Sequence, residues 1–346
     1  MGHVSKVRTV NGDWLIRGRD GRLAAYAPGD DAVWCRAERH PGGPLLPPRR
    51  AGGDQRLHPG FAVGQGTDGY AHLVAWRPTK DGESGLVHSV HFRGHLAALD
   101  WLPIGHPNRR GERTGGPAVA VDSGGRAYVF VRNRGLGVHT INQKARGGWN
   151  AWHDLKGSRV DEELVAVTGE SGLVELYATS PAGILRWIQE EPGARPVAAE
   201  PLPVRAVPGT LSALPTSKEA TTLFYADPDG MLHAWRPDGD PVPLTPVPGP
   251  GPLSVLRCAL DGHDCTLLAQ RSASGRVAFA AYPTEAESAG LWWTESGPQL
   301  PADTRVSLTE DAEGRVVAAS MTPDGVLRLS RQKDEPGLAL AAWQEI

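Results

Sequence analysis

Short apolar runs separated by glycine- or aspartate-bearing turns recur from one end of the chain to the other. Tyr128–Val131, Leu173–Tyr177, Thr222–Tyr225, Leu267–Ala269 and Val316–Ser320 are alternating or continuously apolar, and each is bounded by Gly, Pro or Asp. Runs of about five residues with such boundaries predict strands. No segment keeps a 3.6-residue period long enough to predict a helix.

The turns themselves are periodic. First turns fall at Asp20-Gly21, Asp68-Gly69, Gly124-Gly125, Ser171-Gly172, Lys218-Glu219, Asp261-Gly262 and Glu313-Gly314, spaced 43 to 56 residues apart. Second turns follow at Gly29, Gly85, Gly137, Gly183, Gly230, Gly275 and Gly325. Several repeats close on a fourth run carrying tryptophan, at Trp101, Trp152, Trp293 and Trp343. Four short antiparallel strands per repeat, seven times, predict an all-β, seven-bladed β-propeller that consumes the chain as a single domain. The expected blades are approximately 13–58, 59–115, 116–160, 161–208, 209–251, 252–302 and 303–346. A pair of β-sandwiches or a β-prism accounts poorly for a sevenfold period.

Composition agrees. The 43 glycines and 30 prolines exclude a helix-dominated fold, and 40% hydrophobic against 22% charged residues supports a buried core. A net charge of −3 supplies no basic field for nucleic acid or an anionic membrane. Cys35, Cys258 and Cys265 are too few for a disulfide framework. The Asp261-Gly262 turn sets Cys258 opposite Cys265, which leaves a cross-strand bridge open, but reduced, buried thiols are the expected state. The N-terminus has no apolar signal core and no run reaches membrane-spanning length, so a soluble, cytoplasmic protein is expected, with non-classical export open.

The segment Gly125-Arg-Ala-Tyr-Val-Phe-Val-Arg132, then Gly137-Val-His-Thr140, then Gly148-Trp-Asn-Ala-Trp-His-Asp-Leu155 resembles one blade of the bacterial PLL-type lectin-like propellers. The likeness is sharp over residues 116–157, while the repeats at 161–208 and 209–251 have Pro201-Leu-Pro203 and Pro241-Val-Pro243 in place of the closing tryptophans. The resemblance implies a propeller, and glycans or other hydroxyl-rich small molecules as ligands.

Candidate ligand residues follow from repetition. Shortly after the second turn, five repeats present His88, His139, Arg186, His233 or Arg328, whereas Trp34 and Ala278 depart from the pattern. A ring of such groups supplies hydrogen-bond donors to a ligand, or ties neighbouring blades together. The closing tryptophans recur at one position, as packing between blades requires. Trp149, Trp187 and Trp235 stand outside that pattern and are the candidates for stacking on a sugar. The loop around His106, Arg109, Arg110 and Arg113 forms a candidate rim for a protein partner or acidic ligand.

Catalytic signatures are missing: no nucleophile elbow, P-loop, zincin motif or dinucleotide fingerprint occurs. His88 and His91 are three apart, which on a strand points them to opposite faces and disqualifies them as joint metal ligands. No metal or cofactor is expected. A non-catalytic recognition module is the leading expectation; a protein-interaction scaffold, or a lyase or hydrolase with a site at the channel mouth, are the alternatives.

Overall fold

A computed structural model describes residues 10–80, 84–108 and 115–346. Two compact units are distinguished along the chain, Met1–Leu164 and Val165–Ile346. In the first unit, blade 1 comprises strands Leu15–Arg17, Leu23–Pro28, Val33–Ala37 and Arg49–Arg50. Blade 2 comprises Phe61–Gln65, Ala71–Pro78, Ser84–His91 and Leu102–Gly105, and blade 3 comprises Ala118–Val121, Ala127–Arg132, Val138–Asn142 and His153–Lys156. Leu164 opens blade 4: Leu164–Thr168, Val174–Ser180, Gly183–Ile188 and Val197–Leu202. In the second unit follow blade 5 (Ser212–Pro215, Thr221–Ala226, Met231–Trp235, Val242–Pro246) and blade 6 (Ser254–Leu260, His263–Arg271, Val277–Pro283, Thr294–Ser296). Blade 7 is Arg305–Glu310, Val316–Met321, Leu327–Arg331 and Gln344–Glu345. The four strands of every blade pair in chain order. This is the seven-bladed β-propeller fold. Among the described residues the one helical element is a single turn, Glu287–Ala289.

The turns explain why these strands pair as they do. At Asp261-Gly262 both residues have positive φ, 50° and 77°, as a two-residue hairpin turn of type I′ demands. Cys258 and Cys265 are register partners across it. Both are buried and unbonded, and burial pushes the Cys258 thiol up to about 12. In blades 3 and 7 an aspartate builds the first turn: Asp122 Oδ1 accepts from the Gly124 and Arg126 amides, and Asp311 Oδ1 from those of Glu313 and Arg315.

Alternation along each strand divides a blade into two faces. Buried clusters show which neighbour each face meets within a unit. Val74, Trp76 and Leu86 of blade 2 pack on Val129, Val131 and Ile141 of blade 3. Phe224, Leu232 and Ala234 of blade 5 pack on Leu268, Ala280 and Tyr282 of blade 6. Three of the four closing tryptophans add a directional bond. Trp101 Nε1 donates to the Ala51 carbonyl at 2.9 Å, Trp152 Nε1 to Ile104 at 3.2 Å and Trp293 Nε1 to Pro246 at 2.9 Å. Each indole thus ties its blade to the outer strand region of the blade before it, which is the packing role the repetition predicts.

Two features go beyond the repeat pattern. Val10–Asn11 adds a parallel strand beside Phe61–Ala62, making blade 2 five-stranded. The residue just after the third strand clamps the second: the Gln143, Gln189 and Gln332 side-chain oxygens accept from the Ala127, Val174 and Val316 amides, and Glu38 does the same for Leu23. The signal was a Gln or Glu followed within four or five residues by Gly-Gly or Pro-Gly.

Candidate ligand site between blades

The repeated His and Arg positions do not form one ring. The hydrogen bond closing each first turn gives a common origin: Arg22, Tyr70, Arg126, Leu173, Ala220 and Arg315 supply the carbonyl. Counted from there, His139, His233, Arg328 and Trp34 pair across with Val131, Tyr225, Ser320 and Ala27, the fifth residue on. His88 and Arg186 pair with Val74 and Tyr177, the fourth residue on. One residue changes the face. The offset arises because Gly85 and Gly183 lie inside their third strands, whereas Gly137, Gly230 and Gly325 precede theirs. His88 and Arg186 therefore face the following blade, and His139, His233 and Arg328 face the preceding one.

That geometry brings candidates together in pairs. The gap between blades 4 and 5 holds Arg186 from one side and His233 and Trp235 from the other. The Arg186 guanidinium carbon lies 4.8 Å from the Trp235 ring centroid, a cation–π contact, and its Nη1 donates to the Glu200 carbonyl at 3.2 Å. Tyr177, cross-strand from Arg186, donates its hydroxyl to Glu175. Burial and the Glu175 charge push the Tyr177 pKa well up, so it stays a donor. Toward the other end of the gap, His233 stacks on Tyr225 with rings 5.2 Å apart and 9° from parallel. Its Nε2 meets Asp227 at 2.9 Å, which holds the Asp227 carboxyl below the usual range. Thr221 Oγ1 turns toward the Tyr177 hydroxyl, and two buried polar atoms here, Arg186 Nε and His233 Nδ1, have no hydrogen-bond partner. Buried polar atoms ordinarily do, so this gap offers a donor and an acceptor to something else.

The gap between blades 2 and 3 holds His88, His139 and Trp149. His88 shares a hydrogen bond with His72 at 3.0 Å and meets the half-buried Trp149 edge to face, centroids 5.0 Å apart. His139 lies 2.7 Å from Asn133 Nδ2, and burial lowers its pKa. His91, as alternation requires, points the other way, to the Tyr26 hydroxyl of blade 1 at 2.9 Å.

The remaining candidates are placed differently. Trp187 is 2% exposed, on the blade 4 face opposite Arg186, and it presents no open ring face. Trp235 is 6% exposed and covered by Arg186, with Nε1 donating to the Gly239 carbonyl. Arg328 is paired with Glu345 at 2.7 Å. His106 stacks obliquely on Trp76, centroids 5.0 Å apart, and its Nδ1 accepts from the Asn108 amide. Arg109, Arg110 and Arg113 lie outside the described residues.

No family model matches the chain, and no curated protein matches its sequence. Solved structures do resemble it. The BP39L lectin from Burkholderia pseudomallei aligns over 98% of this chain and 99% of its own, at 13% identity and a TM-score of 0.71. An Aleuria aurantia lectin mutant in complex with Fucα1-6GlcNAc aligns over 82% and 95%, at 12% identity and TM-score 0.52. A mutant of NanB sialidase from Streptococcus pneumoniae aligns over 100% and 69%, at 10% identity and TM-score 0.53. At such identities the likeness is one of fold, and the fold is common to binding proteins and an enzyme.

Proposed function

We propose that the protein is a non-catalytic, lectin-like propeller that binds a carbohydrate, with the gap between blades 4 and 5 as its principal site. The observation carrying this reading is the Arg186 guanidinium held on the Trp235 face beside Glu175 and Tyr177, with Arg186 Nε unpaired. Sugars present vicinal hydroxyls, each able to donate and accept. A fixed guanidinium, a carboxylate and buried hydroxyls meet that pattern at little ordering cost. Arg186 and Glu175 are half-buried, so an entering ligand meets them first. The lectin neighbours, among them SapL1 in complex with alpha methyl fucoside, support the ligand class.

A glycan array followed by calorimetric titration of its best hit tests the proposal. Arg186→Ala should weaken binding at least tenfold, about 1.4 kcal/mol or more, with the melting temperature little changed. An array without hits, or a hit whose affinity ignores Arg186→Ala, rejects this site.

A further inference from the structure

The gap between blades 5 and 6 already contains a carboxylate. Arg236 follows the third strand of blade 5, and both its terminal nitrogens donate to Glu287 of blade 6: Nη2 to Oε2 at 2.9 Å, and Nη1 to Oε1. Nη1 also reaches Thr222 Oγ1 at 3.4 Å. The Tyr282 hydroxyl, buried on the facing blade, turns toward Glu287 and Thr266. Burial and the Glu287 charge both push its pKa up, so it remains a donor beside that carboxylate. A planar guanidinium fork and a phenol facing one carboxylate make a receptor for that group.

Its occupant is attached by a short loop. Glu287 sits in the single helical turn Glu287–Ala289, between the third and outer strands of blade 6. The far end of that loop is anchored by Trp293 on the Pro246 carbonyl. Between them Trp292 is 77% exposed, the most exposed of the large hydrophobic side chains described. An aromatic face in solvent, a few residues from a carboxylate receptor, suits a sugar ring that carries an acid group.

We infer that the gap between blades 5 and 6 is a second receptor, for the carboxylate of an acidic sugar, which the chain holds closed with its own Glu287. Ligand and Glu287 compete for Arg236, so the unaltered protein binds such a ligand weakly and removal of Glu287 opens the site. The inference does not depend on the Arg186 site.

Glu287→Ala is the test, with sodium acetate and glucuronate as probes and sodium chloride and glucose as controls. The variant should melt below the parent protein. Acetate or glucuronate at about 50 mM should restore at least half of the lost melting temperature, and the controls should not. Glucuronate should bind Glu287→Ala roughly tenfold or more tighter than the parent protein, with a change in tryptophan fluorescence. Adding Arg236→Ala should abolish both effects, while adding Arg186→Ala should leave them intact. Recovery with chloride or glucose, no recovery with either carboxylate, or recovery that survives Arg236→Ala would overturn the inference. If Glu287→Ala does not fold, Glu287→Gln keeps the shape without the charge; a glucuronate affinity equal to the parent's in that variant is equally decisive.

Discussion

His72 and His88 are buried as neutral rings joined by one hydrogen bond. Burial lowers His72 from 6.5 to about 4, against a small opposing pull from Asp68, and lowers His88 to about 3, with His72 adding to the effect. Both folded values lie below that of an unfolded histidine. On acidification from pH 6.5 the unfolded chain therefore takes up protons first, and stability falls as pH drops toward 4 and 3. Above pH 6.5 the contribution is complete. His88→Gln keeps a hydrogen-bonding group and removes one titration. Its unfolding free energy should lose about 1.4 kcal/mol less per pH unit between pH 6 and pH 4 than the parent's. Denaturant titrations across that range measure the slope, and parallel curves for the two proteins would refute the assignment. Glu287 acts in the same direction lower down: burial raises its pKa, but the Arg236 bonds outweigh that and hold it below 4.5. Its stabilising contribution is full above pH 4.5 and is lost as pH falls through the lowered value.

Blades 2, 3 and 6 are each held to the preceding blade by an indole, and at Trp101 a glycine makes room for it. Gly52 has φ +77°, and a Cβ there would run into Trp101 Nε1, in an indole that is 1% exposed. Gly314 has almost the same φ, +76°, but nothing within 4 Å of an added Cβ. Gly314→Ala therefore reports backbone strain alone, about 1 kcal/mol. Gly52→Ala should cost about 1–3 kcal/mol more through overpacking, read from chemical denaturation midpoints; equal losses would show that the indole gives way. The same comparison explains what was legible in the sequence. Turns are written in residues with steep local preferences, so Asp261-Gly262 and its counterparts mark the sevenfold repeat without reference to the rest of the fold. The closing tryptophans were legible because they recur at one position. Facing was not legible, because it depends on parity. Gly183 starts a strand whereas Gly230 precedes one, and that single step sends Arg186 and His233 to opposite faces of their own blades. It also brings the two together in one gap, which no count along the chain reveals. The Gln143, Gln189 and Gln332 clamps were not legible either, because the spacing from Gln to the following Gly-Gly or Pro-Gly acquires a role only once the second and third strands are paired.

At the scale of the whole molecule the backbone repeats while the chemistry of the gaps does not. Between blades 1 and 2 lie Tyr26, Cys35 and His91. Between blades 6 and 7 the lining is Leu267, Ala269, Val277, Phe279 and Ala318, a packed apolar layer. Arg236 and Glu287 neutralise one another between blades 5 and 6. Only the gaps at Arg186 and at Trp149, among these five, combine an aromatic ring, polar groups and a half-buried side chain at the ring. Under the proposed lectin-like reading, affinity gained from several equal sites requires equal gaps; here the gaps differ, so that reading carries no expectation of sevenfold valency. Arg186→Ala should therefore lower the measured stoichiometry of sugar binding by one per chain. Trp149→Ala should lower it by one as well, and because Trp149 packs on the buried cluster of blades 2 and 3, it should also cost about 1–3 kcal/mol of stability. A Trp149→Ala protein that melts lower yet keeps the full stoichiometry would make Trp149 a packing residue and leave Arg186 as the only site of the two. Isothermal titration of both variants and of the double variant, with one sugar, separates these outcomes: sites lost independently give stoichiometries that fall in equal steps, whereas a single site disturbed from both sides gives one step and no second.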